Sequence, residues 1–199
     1  MYYEDFGFGH SLFDEFWAND NYKQHSYFVS FLGRMFVSGD NANADNLLKK
    51  EPISKQKLKD LWDWMLKNYK NPQPFVEFGF WISIEKDIFE PAWLAKHVKK
   101  SLEKTNGTLD WDFGLKKSII RLAQALPEET LEIARLYLFE GGIRGGKMRM
   151  PFFQDDEWFE TLKILFTNPD TKSKTYTLID DLIREGGSAF WQLKRILNG

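Results

Sequence analysis

A chain of 199 residues with 27 basic against 29 acidic side chains and no cysteine excludes a disulfide framework, a thiolate nucleophile, iron–sulfur ligation and Cys-based zinc sites. Its 43% hydrophobic and 28% charged residues set aside wholesale disorder, and a net charge of -2 argues against broad nucleic-acid binding while leaving room for a local basic patch. The unusual figure is 17% aromatic side chains, 18 Phe, 8 Trp and 7 Tyr, large rigid volumes that each bury roughly 150–250 Å².

Along the chain, Met1-Tyr2-Tyr3-Glu4-Asp5 carries acid where a signal peptide carries base, and residues 1–24 read as an aromatic and acidic N-terminal segment. The richest apolar run, Phe75 to Ile84, contains Glu77 and falls short of the roughly 18 residues a membrane span needs. A cytoplasmic chain without membrane contact is expected. Between Ser54, a plausible N-cap, and Tyr69, the positions Leu58, Leu61, Trp62, Met65 and Tyr69 form one helical stripe. The segment Phe75 to Lys86 follows Pro72 and Pro74 and is apolar almost all round, as a helix buried between neighbours or as a strand. Pro91 suits a first helical turn, Trp93, Leu94, Val98 and Leu102 make the next stripe, and Asn106-Gly107 closes it.

Asp110 or Asp112 opens a helix whose inner face is Leu115, Ile119, Leu122, Ala123 and Leu126. Pro127 starts another, with Glu128 and Glu129 at the positive end of its dipole. Leu131, Ala134 and Leu138 are its main stripe, while Ile133, Leu136, Tyr137 and Phe139 spread around it, so this helix is expected to be sandwiched. Gly141-Gly142 is expected to end it, with a loop to about Gln154. Asp155-Asp156-Glu157 caps a helix carrying Trp158, Phe159, Leu162 and Leu165, stopped at Asn168-Pro169. Residues 172–185 form a further helix with Leu178, Ile179, Leu182 and Ile183. Gly186-Gly187 separates it from a last one with Phe190, Leu193 and Leu197.

No useful stretch alternates with period two, so the fold class is all-α. Helix pairs begin near positions 25, 75, 110 and 155 and each occupies roughly 30 to 45 residues. Residues 1–199 then form a single domain in which 25–197 are stacked antiparallel helix pairs, an α-solenoid like the HEAT and TPR repeats. An irregular helical bundle is the alternative.

Several motifs invite a chemical reading. Gly141 to Lys147 fits the Gly-x4-Gly-Lys part of a phosphate-binding loop, but Met148 stands where Ser or Thr should hold magnesium and a helix precedes it where the motif demands a strand. Arg144, Lys147 and Arg149 still gather positive charge near four glycines, an arrangement that suits an anionic partner. Asp112-Phe113-Gly114 matches the magnesium triplet of protein kinases without the rest of that set. His97 lies at the edge of an apolar stripe and reads as a satisfied core histidine, whereas His10 and His25 sit near polar N-terminal turns. No carboxylate stands three or four residues from any of them in a way that suggests a helical metal site, so no metal and no cofactor are expected. Asp155-Asp156 reads as a cap, and Asp180-Asp181 as half of a surface ion pair with Arg184.

Lysines cluster at Lys49, Lys50, Lys55, Lys57 and Lys59 and again at Lys96, Lys99, Lys100 and Lys104. A solvated helix face accounts for them; nucleic-acid binding through Lys49–Lys59 and Arg144–Arg149 is the alternative. Trp64 points away from the Leu58, Leu61, Met65 face, which places it against a second neighbour or exposes it as an interface anchor. With Phe152 and Phe153 beside the basic loop, the candidate partner-binding residues are Trp64, Arg144, Lys147, Arg149, Phe152 and Phe153.

Phe28-x-x-Phe31-Leu32-Gly33-Arg34, Leu61-Trp62-x-Trp64, Phe78-Gly79-x-Trp81 and Leu182-Ile183-Arg184-Glu185-Gly186-Gly187 followed by Phe190 together resemble the C-terminal helical-repeat region of bacterial nucleotide-switch proteins of the STAND or NACHT type used in phage defence. The likeness spans about residues 25 to 197 and lacks that family's nucleotide-binding domain. It implies a module that senses a ligand or a protein partner, or docks onto the remainder of a larger polypeptide, and contributes no catalysis. The expected function is therefore a non-enzymatic helical-repeat interaction or ligand-sensing module.

Overall fold

The computed structural model of the chain describes residues 11–38, 52–82, 88–110, 113–145 and 156–198. All regular elements among the described residues are helical, as the periodicity requires. In chain order they are α1 (Ser11–Ala18), α2 (Tyr22–Leu32) running into a π-wound Gly33–Ser38, α3 (Pro52–Asn68), a 3-10 segment (Gln73–Trp81) and α4 (Pro91–Lys104). Then come α5 (Phe113–Ala125), α6 (Pro127–Ala134) continuing as a π-wound Arg135–Arg144, α7 (Asp156–Thr167), α8 (Lys172–Arg184) and α9 (Phe190–Asn198).

The helical stripes are buried as their spacing predicts: Leu58, Leu61, Trp62, Met65 and Tyr69 on α3, Leu94, Val98 and Leu102 on α4, and Leu115, Ile119, Leu122 and Ala123 on α5. Helix α6 with its continuation buries Leu131, Ile133, Ala134, Tyr137, Leu138 and Phe139, so it is sandwiched as expected. Caps mark several ends. Asn21 Oδ1 accepts the Gln24 N–H at 3.3 Å to start α2. Gly186, at φ 102°, closes α8 with Gly187 N–H donating to Leu182 O at 2.8 Å, the Schellman arrangement.

Four expectations are corrected. Residues 11–18 within the N-terminal segment are a helix, whose Trp17 is buried. Helix α3 begins at Pro52, a residue suited to a first turn, ahead of Ser54. The segment after Pro72 and Pro74 is neither α-helix nor strand. Phe75 N–H donates to Pro72 O at 3.0 Å, a three-residue closure that continues as 3-10 winding to Trp81. Finally, the chain does not leave its helix at Gly141-Gly142. It winds through both glycines to Arg144, and Gly145 N–H donates to Glu140 O, five residues back, at 2.9 Å.

The glycines are needed there for packing. Gly107, at φ 77°, and Gly141 meet backbone to backbone: a Cβ on Gly141 would overlap the Gly107 carbonyl, and one on Gly107 would overlap Leu136 O and Gly141 N. The end of α4 and the π-wound turn thereby sit closer than any side chain allows.

Helices pack on alternate neighbours as well as on adjacent ones. The 3-10 segment packs on α5, α4 on α6, α5 on α7, the π-wound Arg135–Arg144 on α8, and α7 on α9. Helix α2 and its π-wound end lie on the 3-10 segment, and α3 on α4. Most rings are consumed by this core. Trp62 stacks on Phe78 at 4.3 Å and 2°, meets Trp81, Phe89 and Trp93 edge-on, and donates its Nε1–H to Ser101 Oγ at 3.0 Å. Trp81 donates to Val29 O at 2.8 Å, tying the 3-10 segment to α2.

Candidate functional site

The residues singled out from the sequence do not converge. Trp64 is half-buried and packs on Trp17 of α1, with ring centroids 5.5 Å apart, so it meets a second neighbour. Arg144 is exposed, but its guanidinium reaches the Glu140 carboxylate at 3.3 Å and lies 4.4 Å from the Phe139 ring centroid, a local clasp on the last helical turn. Lys147, Arg149, Phe152 and Phe153 lie outside the described residues, as do Lys49, Lys50, His10 and Asp112. In the lysine clusters, Lys59 pairs with Glu90 and Lys99 with Glu132, while Lys104 donates to Tyr69 O at 3.0 Å over the Phe75 ring. The second acid pair is divided, Asp181 toward Arg184 and Asp180 toward Lys194.

The two described histidines are both held in place. His97 is buried and stacked on Trp93; its Nδ1 lies in hydrogen-bond contact with Trp93 O at 2.7 Å and its Nε2 with Asp63 Oδ1 at 2.8 Å, which clasps α4 to α3. His25 overturns the expectation of a polar turn. It is fully buried among Phe16, Trp17 and Tyr69, with Nε2–H donating to Phe16 O at 2.8 Å and Nδ1 accepting from the Tyr69 hydroxyl. That pattern uses the neutral ring. Burial holds the imidazole below its ordinary value near 6.5 despite the Phe16 carbonyl, and burial pushes the Tyr69 phenol up to about 12. Among the described residues no group of His, Asp and Glu is placed to hold a metal ion, and no helix is long and apolar enough to cross a membrane.

What the fold does assemble is an open cleft of about 550 Å³ lined by Tyr27, Ser30, Phe31, Arg34, Glu77, Phe80 and Asp110. Three segments build it. On α2 and its continuation, Tyr27, Phe31 and Arg34 follow spacings of four and three, one helical face that turns outward while Val29 and His25 turn in. On the 3-10 segment, three residues per turn put Phe75, Phe78 and Trp81 on one edge, the core edge, and Glu77 and Phe80 on another. The third segment is the turn after α4, where Asp110 N–H donates to Val76 O at 2.8 Å and brings the Asp110 carboxylate beside Glu77.

Gly33 sets how closely these walls approach, because a Cβ there would lie 2.6 Å from Phe80 Cβ and 2.7 Å from Trp81 Cδ1. Arg34 rests over the Phe80 ring, 4.2 Å from its centroid. Glu77 is half-buried and accepts a hydrogen bond from Ser30. Burial, reinforced by Asp110, raises its carboxyl above the ordinary glutamate value, against the pull of Ser30 and Arg34. Tyr27 is 76% exposed and Phe31 54%. Sequence reasoning missed this site. The signals were present in the lone Glu77 of an apolar run and in the period of three that aligns it with Phe80.

No protein-family model matches the chain, and no curated protein and no solved structure matches it.

Proposed function

We propose that this chain is a non-enzymatic, helical-repeat recognition module, and that the cleft between α2 and the 3-10 segment is where it receives its ligand or partner. The observation that carries the proposal is the exposure of Tyr27 and Phe31 at the mouth of a cleft floored by a half-buried acid, where most rings among the described residues pack into the core. Large exposed rings beside convergent polar groups are the ordinary composition of a binding surface.

The repeat character is supported by the alternate packing: α4, α6 with its continuation, and α8 make one row, and the 3-10 segment, α5, α7 and α9 make the other. Such a two-row stack accommodates the sensing role implied by the likeness to nucleotide-switch proteins. A random-peptide display library panned on the whole chain tests the proposal. Clones are expected that bind the native protein and lose binding to a Tyr27→Ser/Phe31→Ser variant of unchanged circular dichroism. Clones that bind both proteins alike would refute the placement of the site, and failure to enrich any clone would refute the function.

A further inference from the structure

We infer that the cleft at Tyr27, Phe31, Glu77 and Asp110 takes the cationic side chain, Arg or Lys, of a short extended segment of a partner protein. The inference rests on the proposed recognition role and adds the chemistry of the occupant. Charge decides its sign. The lining carries two carboxylates, Glu77 and Asp110, against one guanidinium, Arg34, and Arg34 is engaged over the Phe80 ring at the cleft wall. One carboxylate is therefore without a cationic counterpart among the lining residues. Neither acid forms an ion pair within 4 Å among the described residues, and the Ser30 hydroxyl is the one side-chain donor serving Glu77. An entering cation supplies that missing charge at a group already partly removed from water, where screening is weakest.

The rings select the same class of ligand. Tyr27 and Phe31 present aromatic surface beside the acids, and an aromatic face attracts Arg or Lys while repelling a carboxylate. Shape selects a chain segment over a free ion. From Tyr27 to Arg34 the α2 face runs for two turns, about 10 Å at 1.5 Å per residue, which is the length of about three residues of extended peptide. A cleft open along that length receives a strand of backbone with one long side chain turned into it, and the stem of Arg or Lys covers the rings while its head meets the acids.

Three blocked pentapeptides test this on the full chain, followed by backbone amide shifts in NMR: Gly-Ser-Arg-Ser-Gly, its citrulline analogue, and Gly-Ser-Glu-Ser-Gly. The expected result is that the Arg peptide shifts the amides of Ser30, Phe31, Glu77 and Asp110 in a saturable way, and that binding weakens with added salt. The citrulline peptide is expected to bind about tenfold more weakly and the Glu peptide not at all. Glu77→Gln should weaken the Arg peptide about tenfold, and Phe31→Ser, at an exposed position that does not threaten folding, should do so as well. Equal shifts from the citrulline or Glu peptide would overturn the charge assignment and leave the recognition role standing. Shifts from the Arg peptide that fall elsewhere on the chain would overturn the inference, and the display experiment then decides separately whether the cleft binds anything.

Discussion

Gly141→Ala isolates the close approach of Gly107 and Gly141 through the sign of its effect. The backbone of Gly141 is helical and its φ is not among the positive ones, so conformational entropy alone favours alanine there by about 0.5–1 kcal/mol. Against this stands the new Cβ, which would overlap the Gly107 carbonyl; its neighbours within contact range are backbone atoms of the α4 terminus, which no rotamer change can move. Forcing a methyl group into packed structure costs about 1–3 kcal/mol, and rigid backbone neighbours place this site at the upper end. The expected net is a loss of about 2 kcal/mol, or roughly 4–8 °C in Tm for a chain of this size. Urea and thermal unfolding followed by circular dichroism measure it. Gly107→Ala should cost more, since it adds the strain of φ 77°. The double variant should cost less than the sum, because the first methyl already separates the two backbones. A Gly141→Ala protein as stable as the native chain, or more so, would show that the glycines serve something other than contact.

Other expectations follow from the core and the buried histidine. Trp62→Ala removes the stack on Phe78 and the bond to Ser101 and should destabilise by about 3–5 kcal/mol, seen as a large fall in the urea midpoint. His25 is held neutral, with its folded value below 6.5, so the unfolded chain binds the extra proton first. Its contribution is fully present above about pH 6.5 and declines as pH falls below that toward the lowered folded value. The urea midpoint measured from pH 8 to 4.5 should therefore show an acid limb that His25→Gln flattens. Tyr69, pushed up to about 12, acts at the other end: stability should fall as pH climbs from 10 toward 12, and Tyr69→Phe should abolish that limb while costing about 1–3 kcal/mol at neutral pH, because His25 Nδ1 loses its donor. Arg144→Gln, which breaks an exposed pair one turn apart, should change stability by less than about 1 kcal/mol.

How much of this was legible in the chain depended on whether the information was local. The stripes on α3, α4 and α5 are written in spacings of three and four, and the structure buries those residues. Asn106-Gly107 and Gly186 mark ends because only a few residue types accept positive φ. Gly141-Gly142 misleads by the same logic: glycines commonly stop helices, yet here they permit a contact with Gly107, 34 positions away, that only tertiary structure reveals. His25 was misplaced for a similar reason. Its neighbours Lys23 and Gln24 are polar and exposed, while the rings that bury it come from α1 and from Tyr69 after α3.

The cleft was hidden more deeply, because its walls lie near positions 30, 77 and 110 and no local pattern shows that they meet. Its physical origin nevertheless traces back to a local cause. Two prolines at 72 and 74 accompany the change from 3.6 to three residues per turn, and that change separates Phe75, Phe78 and Trp81 from Glu77 and Phe80. At 3.6 residues per turn the two sets would fan out from their shared edges. Wound as 3-10, one edge satisfies the aromatic core completely and the other is released to face α2. The half-buried Glu77 is then a consequence of where the core edge points, and its carboxylate, reached by Ser30 and Asp110 from two further segments, is the feature for which packing alone offers no use.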